Sequence, residues 1–157
     1  MADVWYFAYG SNMDPARLKM RCTDKGAPVL ERVAGRLDGW RLAFNKQRLN
    51  RPGEGAANVM EDPAGAVEGT LNRMPALGLD LLDVDEGVAR GQYARHAVRV
   101  LRLDTGATVD AVMYVALPAV VARDLRPPRW YLDHLLAGRD LLSAPYHAAL
   151  AATVVID

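Results

Sequence analysis

The sequence predicts a mixed α/β (α+β) domain of mainly antiparallel strands with a few short helices, and a small β-barrel is one architecture that fits. Three observations favour this class: apolar and polar residues alternate over several stretches, Gly- and Pro-containing turns separate those stretches, and the helical patterns are few and short. The 157 residues suffice to bury a core, so we predict one domain spanning residues 1–157.

The first element is an apolar, aromatic run at residues 4–9, which is typical of a buried strand. The run breaks at Gly10, and the polar residues Ser11 and Asn12 follow. Asp14-Pro15 then begins a helix, because Asp caps helices and Pro suits the first helical position. This arrangement would leave the backbone N–H groups of residues 10–12 available to a carboxylate or a developing oxyanion, although an ordinary turn is the alternative.

The remaining elements follow from the same patterns in chain order. A helix at residues 15–21 precedes one long or bent strand at 29–44 and a polar, mobile loop at 45–55. Strands at 56–61 and 66–72 are joined by a turn at 62–65, and a helix runs from 75 to 83 with Gly87 as its C-terminal cap. Strands at 92–103 and 108–117 and helices near 130–136 and 146–152 complete the chain. The basic residues of the loop, Lys46, Arg48 and Arg51, are expected to be solvated, and a lid is the alternative.

Four acidic residues crowd the C-terminal end of the helix predicted from residue 75, namely Asp80, Asp83, Asp85 and Glu86. The helix dipole disfavours acids there, and neighbouring carboxylates should raise the pKa of at least one of them. A raised carboxyl pKa suits a general acid/base at neutral pH. The alternative is that the acids are solvated and offset by Arg73, Arg90 or Arg95. Glu86 is the best candidate, because it directly precedes Gly87 at the helix exit, where its side chain can reach a cleft.

Composition narrows the class of ligand and the compartment. The formal net charge is zero, so no nucleic-acid or membrane partner is expected, and a small neutral or zwitterionic ligand fits better than a polyanion. Cys22 is the only cysteine, so no internal disulfide can form, and we expect it to be a small buried hydrophobe. The N-terminal residues do not resemble a signal peptide and no apolar run is long enough to span a membrane, so a cytoplasmic location is expected.

Other chemistries find little support in the sequence. Ser11 as a nucleophile would need a nearby base, but the three histidines are scattered and no Gly-x-Ser-x-Gly elbow is present. The same histidines show no metal-ligand spacing with Cys22. We therefore expect neither a metal nor a cofactor.

Two segments together carry a resemblance to a known family. Residues 6–13 have the sequence Tyr-Phe-Ala-Tyr-Gly-Ser-Asn-Met, and residues 82–93 contain Glu86-Gly87 followed by Gly91-Gln92-Tyr93. With both segments, the chain resembles the γ-glutamylcyclotransferase family (the γ-glutamylcyclotransferase-like or AIG2-like superfamily). Residues 55–59, 67–71 and 127–150 also fall where that family would place them, so the resemblance covers nearly the whole chain.

The resemblance implies a small β-barrel with flanking helices and a pocket at one side. It implies that the α-amine of a γ-glutamyl small molecule attacks its own γ-carbonyl, releasing 5-oxoproline and an amino acid or amine, with Glu86 as general acid/base. The implied substrate-binding residues are Tyr6, Phe7, Ala8, Tyr9, Gly10, Ser11, Asn12 and Tyr131. A packing role is an equal alternative for Tyr131, and Tyr93 and Tyr146 are expected to wall the pocket or pack. The family analogy also allows a homodimer.

Departures from the family pattern bear on the leaving group. The loop at residues 45–55 and Arg129-Trp130 beside Tyr131 differ from the animal enzymes, so the identity of the released amine stays open. Asn12 follows Ser11 where the glutathione-specific branch has Leu, which makes glutathione a less expected substrate. Two other functions stay open: a non-catalytic module that binds γ-glutamyl-type small molecules, and a cyclotransferase dedicated to a biosynthetic γ-glutamyl intermediate. Retention of Glu86 favours turnover, since a binding module needs no proton shuttle.

Overall fold

Five strands close into a barrel, flanked by four short helices, in the computed structural model, which describes residues 2–157. The strands are β1 (Asp3–Ala8), β2 (Glu31–Gln47), β3 (Gly55–Pro75), β4 (Tyr93–Arg102) and β5 (Thr108–Ala116). The helices are α1 (Pro15–Arg21), α2 (Leu77–Asp85), α3 (Arg129–Leu136) and α4 (Ala144–Ala151), and short 3-10 turns lie at Ser11–Met13, Thr23–Lys25, Val88–Arg90 and Pro118–Val120. The predicted α+β class and small β-barrel are confirmed.

The strand order around the barrel is β1-β3-β2-β4-β5, and the barrel closes where β5 returns to β1. Neighbouring strands are antiparallel except at this closure, where Tyr6 pairs with Val112 in parallel register. Two of the contacts around the barrel are short within residues 2–157: β2 and β4 pair at Gly35–Arg102 and Arg36–Leu101, and β1 and β5 pair at one residue each. Because β1 is paired on both sides, the segment that follows it leaves the barrel at a fixed point.

β3 is one continuous strand, whereas the sequence predicted two strands joined by a turn at residues 62–65. The pairings on either side leave residues 62–65 opposite Gly39 alone, so these residues form a bulge. Gly39 has a φ of +86°, which glycine adopts without strain. The turn prediction was wrong because the bulge absorbs the extra residues while the strand keeps its direction.

The loop predicted at residues 45–55 is shorter than expected, because β2 continues to Gln47 and pairs there with Gly55. The connecting segment is attached to a distant part of the chain. The Gly55 N–H donates to the Arg126 carbonyl oxygen at 2.9 Å, and the Arg126 N–H donates to the Gly53 carbonyl oxygen at 3.1 Å. The segment is thus held by hydrogen bonds from outside it as well as by the two strands that it joins.

α1 has the predicted bounds. Asp14 Oδ1 accepts a hydrogen bond from the Ala16 N–H at 3.0 Å, and Pro15 occupies the first turn. Cys22 directly follows α1 and is buried, as expected. The helix is therefore fixed at both ends beside the turn that follows β1.

α2 begins at Leu77 rather than at residue 75, because Pro75 still pairs with Asp3 as the last residue of β3. α2 ends at Asp85 rather than at residue 83, and Gly87 follows it as predicted, with a φ of +65° in the left-handed region that favours glycine. Glu86 lies between the last helical residue and this glycine. Its backbone N–H still donates to the Leu82 carbonyl oxygen at 2.8 Å, so the base of its side chain is fixed.

Buried apolar side chains from the barrel strands and from α1, α2, α3 and α4 form one core. The largest fully buried ones are Phe7, Met13, Leu18, Leu71, Met74, Leu82, Met113, Leu132 and Leu135. Within residues 2–157, no helix has both the length and the apolar character that crossing a membrane requires.

Candidate active site

A cavity of about 230 Å³ opens beside the end of β1. Its wall combines the turn after β1, α1, the end of β2 with the following loop, the start of β3, the exit of α2, and tyrosines from β4, β5 and α3. The lining residues are Tyr6, Tyr9, Gly10, Ser11, Asn12, Arg17, Arg21, Lys46, Arg48, Leu49, Ala56, Ala57, Asp85, Glu86, Gly87, Arg90, Gln92, Tyr93, Tyr114 and Tyr131.

The structure brings most of the sequence-predicted site residues to this one cavity, namely Glu86, Tyr6, Tyr9, Gly10, Ser11, Asn12 and Tyr131. Phe7 and Ala8, which were also predicted to bind substrate, do not line the cavity, because both side chains are buried in the core. Phe7 points away from the side of β1 that carries Tyr6, as successive residues of a strand do, and the short Ala8 side chain is enclosed. Tyr93 walls the cavity, whereas Tyr146 packs elsewhere.

The turn after β1 is held in place by side chains from α1. The Arg17 Nε–H donates to Ser11 Oγ at 3.1 Å, and Arg21 Nη1 donates to Asn12 Oδ1 at 3.1 Å. Asn12 Nδ2 in turn donates to the Tyr6 hydroxyl at 3.0 Å. Across residues 2–157, the backbone N–H groups of residues 10–12 find no acceptor. The turn therefore combines a fixed position with free donors, as an anion-binding loop requires.

A β-bulge shapes the wall opposite this turn. Residues 44–45 of β2 lie opposite Ala57 alone, so the backbone of Ala57 has no partner residue on β2. The Ala57 N–H instead donates to the Tyr131 hydroxyl at 2.9 Å, and the Tyr93 hydroxyl donates to the Ala57 carbonyl oxygen at 2.7 Å. Burial raises the pKa of Tyr131 to about 12, so this phenol stays protonated at neutral pH.

Glu86 lies at the exit of α2 and lines the cavity, as does Asp85. Within residues 2–157 its carboxyl group forms no hydrogen bond and no ion pair. Burial raises its pKa from the ordinary value to about 7, and the charge of Asp85 adds to the rise, while Arg21, Arg17 and Lys46 oppose it. The crowded carboxylates of the sequence predicted such a rise, but burial is the larger cause. A carboxyl group with this pKa can both accept and donate a proton near neutral pH.

Asp80 and Asp83 have close partners, whereas Asp85 Oδ2 lies 3.9 Å from Arg21 Nε and forms no hydrogen bond within residues 2–157. Arg95 donates to Asp80 at 3.1 Å and to Asp83 at 2.7 Å. Burial would raise the pKa of Asp83, but hydrogen bonds from Arg95 and Tyr114 outweigh burial and lower it. The expected offset by arginine thus holds for these two acids. Arg73, also considered for that role, pairs instead with Asp3 and Glu31.

Five cationic side chains within residues 2–157 line the cavity, and none of them was predicted to do so: Arg17, Arg21, Lys46, Arg48 and Arg90. Arg17 and Arg21 are four residues apart on α1, a spacing that places both on one helix face and could have revealed them. Lys46 was expected to be solvated, yet it is only 6% exposed. No comparable sequence signal marks Lys46, because its direction depends on the bulge that precedes it.

The histidines lie outside the cavity wall. His134 Nδ1 is 2.8 Å from Asp14 Oδ2, and His147 Nε2 is 3.1 Å from the Leu136 carbonyl oxygen. Ser11 therefore has an arginine, not a histidine, as its side-chain partner. In the described part of the chain, residues 2–157, no three His, Cys, Asp or Glu side chains are grouped so as to hold a metal ion.

The closed barrel with its one-sided cavity defines the γ-glutamylcyclotransferase-like class of folds. A solved structure named "Gamma-glutamyl cyclotransferase" shares this fold at a TM-score of 0.84 and 24% identity, over 99% of this chain and 90% of that one. A human protein described as uncharacterized superimposes with a TM-score of 0.85 at 25% identity, over 100% of this chain and 91% of that one.

The chain belongs to the AIG2-like family, whose model matches residues 66–150. A curated relative from Bacillus subtilis (strain 168), "Putative gamma-glutamylcyclotransferase YkqA", is 30% identical over 146 residues, which make up 90% of this chain. This chain spans about half of that relative's length, 48%. The crystal structure of YkqA superimposes with a TM-score of 0.83 at 26% identity, over 99% of this chain and 57% of that one.

Proposed function

We propose that this chain is a γ-glutamylcyclotransferase that converts a γ-glutamyl compound into 5-oxoproline and a free amino acid or amine, with Glu86 as general acid/base. The observation that carries this proposal is the carboxyl group of Glu86, which is unpaired within residues 2–157 and faces the same cavity as the donor-rich turn after β1. Membership of the AIG2-like family supports the reaction class.

The reaction needs one group that moves a proton in both directions. The α-amine of the substrate attacks the γ-carbonyl carbon, a new C–N bond closes the five-membered ring, and the original amide C–N bond breaks. Ionised Glu86 accepts the proton that the attacking nitrogen loses and then donates it to the leaving nitrogen. The same proton is taken up and returned, so no water molecule is consumed. A positioned carboxyl group of this kind accelerates the reaction by roughly 10²–10⁴-fold.

The turn after β1 supplies positioning and charge stabilisation in this proposal. Its N–H groups hold the glutamyl part or the oxyanion that develops on the γ-carbonyl oxygen. The Tyr131 hydroxyl accepts from Ala57 and keeps its own proton available to a substrate oxygen. Because nucleophile and electrophile belong to one molecule, holding the substrate in a folded conformation supplies much of the remaining acceleration.

A panel assay tests the assignment. The protein is incubated with γ-glutamyl amino acids, γ-glutamyl amines and glutathione, and 5-oxoproline is quantified by liquid chromatography with mass spectrometry. We expect product from at least one compound other than glutathione, and a loss of at least about 100-fold in Glu86→Gln. The matched control is Asp80→Asn, an exposed acid of the same helix, which should retain activity. Absence of product across the panel, or full activity in Glu86→Gln, would overturn the assignment.

A further inference from the structure

The cationic side chains of the cavity form two groups on different elements. Arg17 and Arg21 lie on α1 and hold the turn after β1. Lys46 at the end of β2, Arg48 two residues later and Arg90 in the turn after α2 form the second group, here called the Lys46 cluster. Burial lowers the pKa of the Lys46 ammonium, the negative charge of Glu86 in the same cavity raises it in part, and the charges of Arg48 and Arg90 lower it further.

Lys46 is an unusual residue to find buried. Its side chain lies with Nζ 5.5 Å from the centre of the Tyr93 ring, a cation–π contact on the cavity wall. Within residues 2–157 the ammonium group forms neither a hydrogen bond nor an ion pair, although the residue is only 6% exposed. Burying this cation is costly, and the charge of Glu86 offsets the cost only in part, so the position of Lys46 suits an external anion.

The surroundings of Lys46 keep it in this position. The bulge at residues 44–45 directly precedes it, and bulges re-aim the side chains that follow. Arg48 is fixed beside it by an ion pair with Glu54 and by stacking on Trp130, where the guanidinium carbon is 4.8 Å from the ring centre. The Lys46 cluster is therefore built into the wall and does not depend on a flexible surface chain.

A γ-glutamyl amino acid carries two carboxylates, one on the glutamyl α-carbon and one on the amino acid that leaves. A γ-glutamyl amine lacks the second carboxylate. The group on α1 is hydrogen-bonded to the turn assigned to the glutamyl part, which leaves the Lys46 cluster for the other end of the ligand. On the basis of the proposed function, we propose that Lys46, supported by Arg48 and Arg90, binds the carboxylate of the leaving group and selects substrates that release an amino acid rather than a simple amine.

Two substrates that differ only in that carboxylate test the proposal. γ-Glutamyl-alanine and γ-glutamylethylamide release alanine and ethylamine, respectively, and the ratio of their kcat/KM values isolates the contribution of the carboxylate. We expect the wild-type protein to prefer γ-glutamyl-alanine by about 10- to 100-fold, the range that a hydrogen bond to a charged group supplies. In Lys46→Met this preference should largely disappear, through a higher KM for γ-glutamyl-alanine.

Two further variants distinguish the effect of the Lys46 charge from a structural effect of the substitution. Lys46→Arg restores a cation and should recover much of the preference, whereas Lys25→Met removes an exposed lysine outside the cavity and should leave the preference unchanged. A wild-type ratio near one, or equal losses for both substrates in Lys46→Met, would contradict the role of Lys46. Either outcome would leave the cyclotransferase reaction itself established, since 5-oxoproline would still form.

Binding to Glu86→Gln gives a readout that does not depend on turnover. Calorimetry should show tighter binding of γ-glutamyl-alanine than of γ-glutamylethylamide to this variant, and the difference should vanish when Lys46→Met is added. If that result is obtained while no protein turns over either compound, the carboxylate site stands and the cyclotransferase proposal fails. If neither compound binds, the proposal for Lys46 fails.

Discussion

The hydroxyl group of Tyr131 on α3 accepts a hydrogen bond from the backbone N–H of Ala57 on β3 at 2.9 Å. This bond exists because the bulge at residues 44–45 leaves Ala57 without a partner residue on β2. One irregularity in the sheet thus attaches a helix to the barrel beside the cavity and also precedes Lys46. The bulge therefore contributes both to the packing of α3 on the barrel and to the polarity of the cavity wall.

Replacing Tyr131 should reduce both stability and activity. Tyr131→Phe leaves the buried Ala57 N–H without an acceptor, which should lower the free energy of unfolding by about 1–3 kcal/mol in urea titrations. The same change removes a donor from the cavity and should lower kcat/KM for 5-oxoproline release. The matched control is Tyr146→Phe, because the buried Tyr146 hydroxyl has no hydrogen-bond partner within residues 2–157. Equal unfolding free energies for Tyr131→Phe and the wild type would argue against a structural role for the bond.

The burial of Glu86 predicts a pH-dependent stability difference. The folded-state pKa of Glu86 is raised to about 7, so between the unfolded value and 7 the folded protein binds more protons than the unfolded chain. This group's contribution is therefore fully present at low pH and is lost as the pH rises through 7. Relative to the wild type, Glu86→Gln should gain little at pH 4 and up to about 3 kcal/mol at pH 8. A stability difference that does not change with pH would show that the carboxyl group is not buried in the folded protein.

Lys46 should carry a stability cost. Lys46→Met removes a buried charge that forms no hydrogen bond or ion pair within residues 2–157 and whose burial cost Glu86 offsets only in part, and it keeps an unbranched chain beside Tyr93. We expect the free energy of unfolding to rise by about 0.5–2 kcal/mol, measured by urea titration at neutral pH. The exposed change Lys25→Met should stay within about 0.5 kcal/mol of the wild type. A loss of stability in Lys46→Met would mean that the ammonium has a compensating interaction in the folded protein.

Arg21 should tune the proton affinity of Glu86. Its positive charge is the largest of the charges that lower the pKa of Glu86, and its Nη1 also holds Asn12. Arg21→Met should therefore move the midpoint of the pH–rate profile above that of the wild type and raise KM by loosening the turn. Lys19→Met, on the exposed side of the same helix, serves as the control. An unchanged midpoint in Arg21→Met would show that the charge of Arg21 does not lower the pKa of Glu86.

The sequence predicted the elements whose signals are local. Asp14-Pro15 and Gly87 mark helix ends through their own capping and backbone preferences, and the structure follows them. The β2–β3 bulges could not be predicted, because they depend on how two distant strands pair. For the same reason the turn composition at residues 62–65 suggested two strands where the structure has one.

In the candidate site, too, some residues could be predicted from local sequence signals and others could not. Glu86 and the turn after β1 could be found from residue types that break local rules or follow a strand directly. Lys46 could not, because a polar, basic sequence gives no indication that a bulge directs one of its lysines into a cavity. The formal net charge of zero suggested a neutral or zwitterionic ligand, yet five cationic side chains and only two acidic ones line the cavity. Whole-chain charge therefore gave little information about this local surface.

The pH dependence of 5-oxoproline release shows whether Glu86 transfers the proton. Steady-state kcat/KM would be measured from pH 5 to 9 on the best substrate of the panel, for the wild type and for Glu86→Gln. We expect wild-type kcat/KM to rise with pH and to reach half its maximum near pH 7, where free Glu86 ionises, and we expect no such rise in the residual activity of Glu86→Gln. The same rise in both proteins, or comparable rates in both, would rule out proton transfer by Glu86.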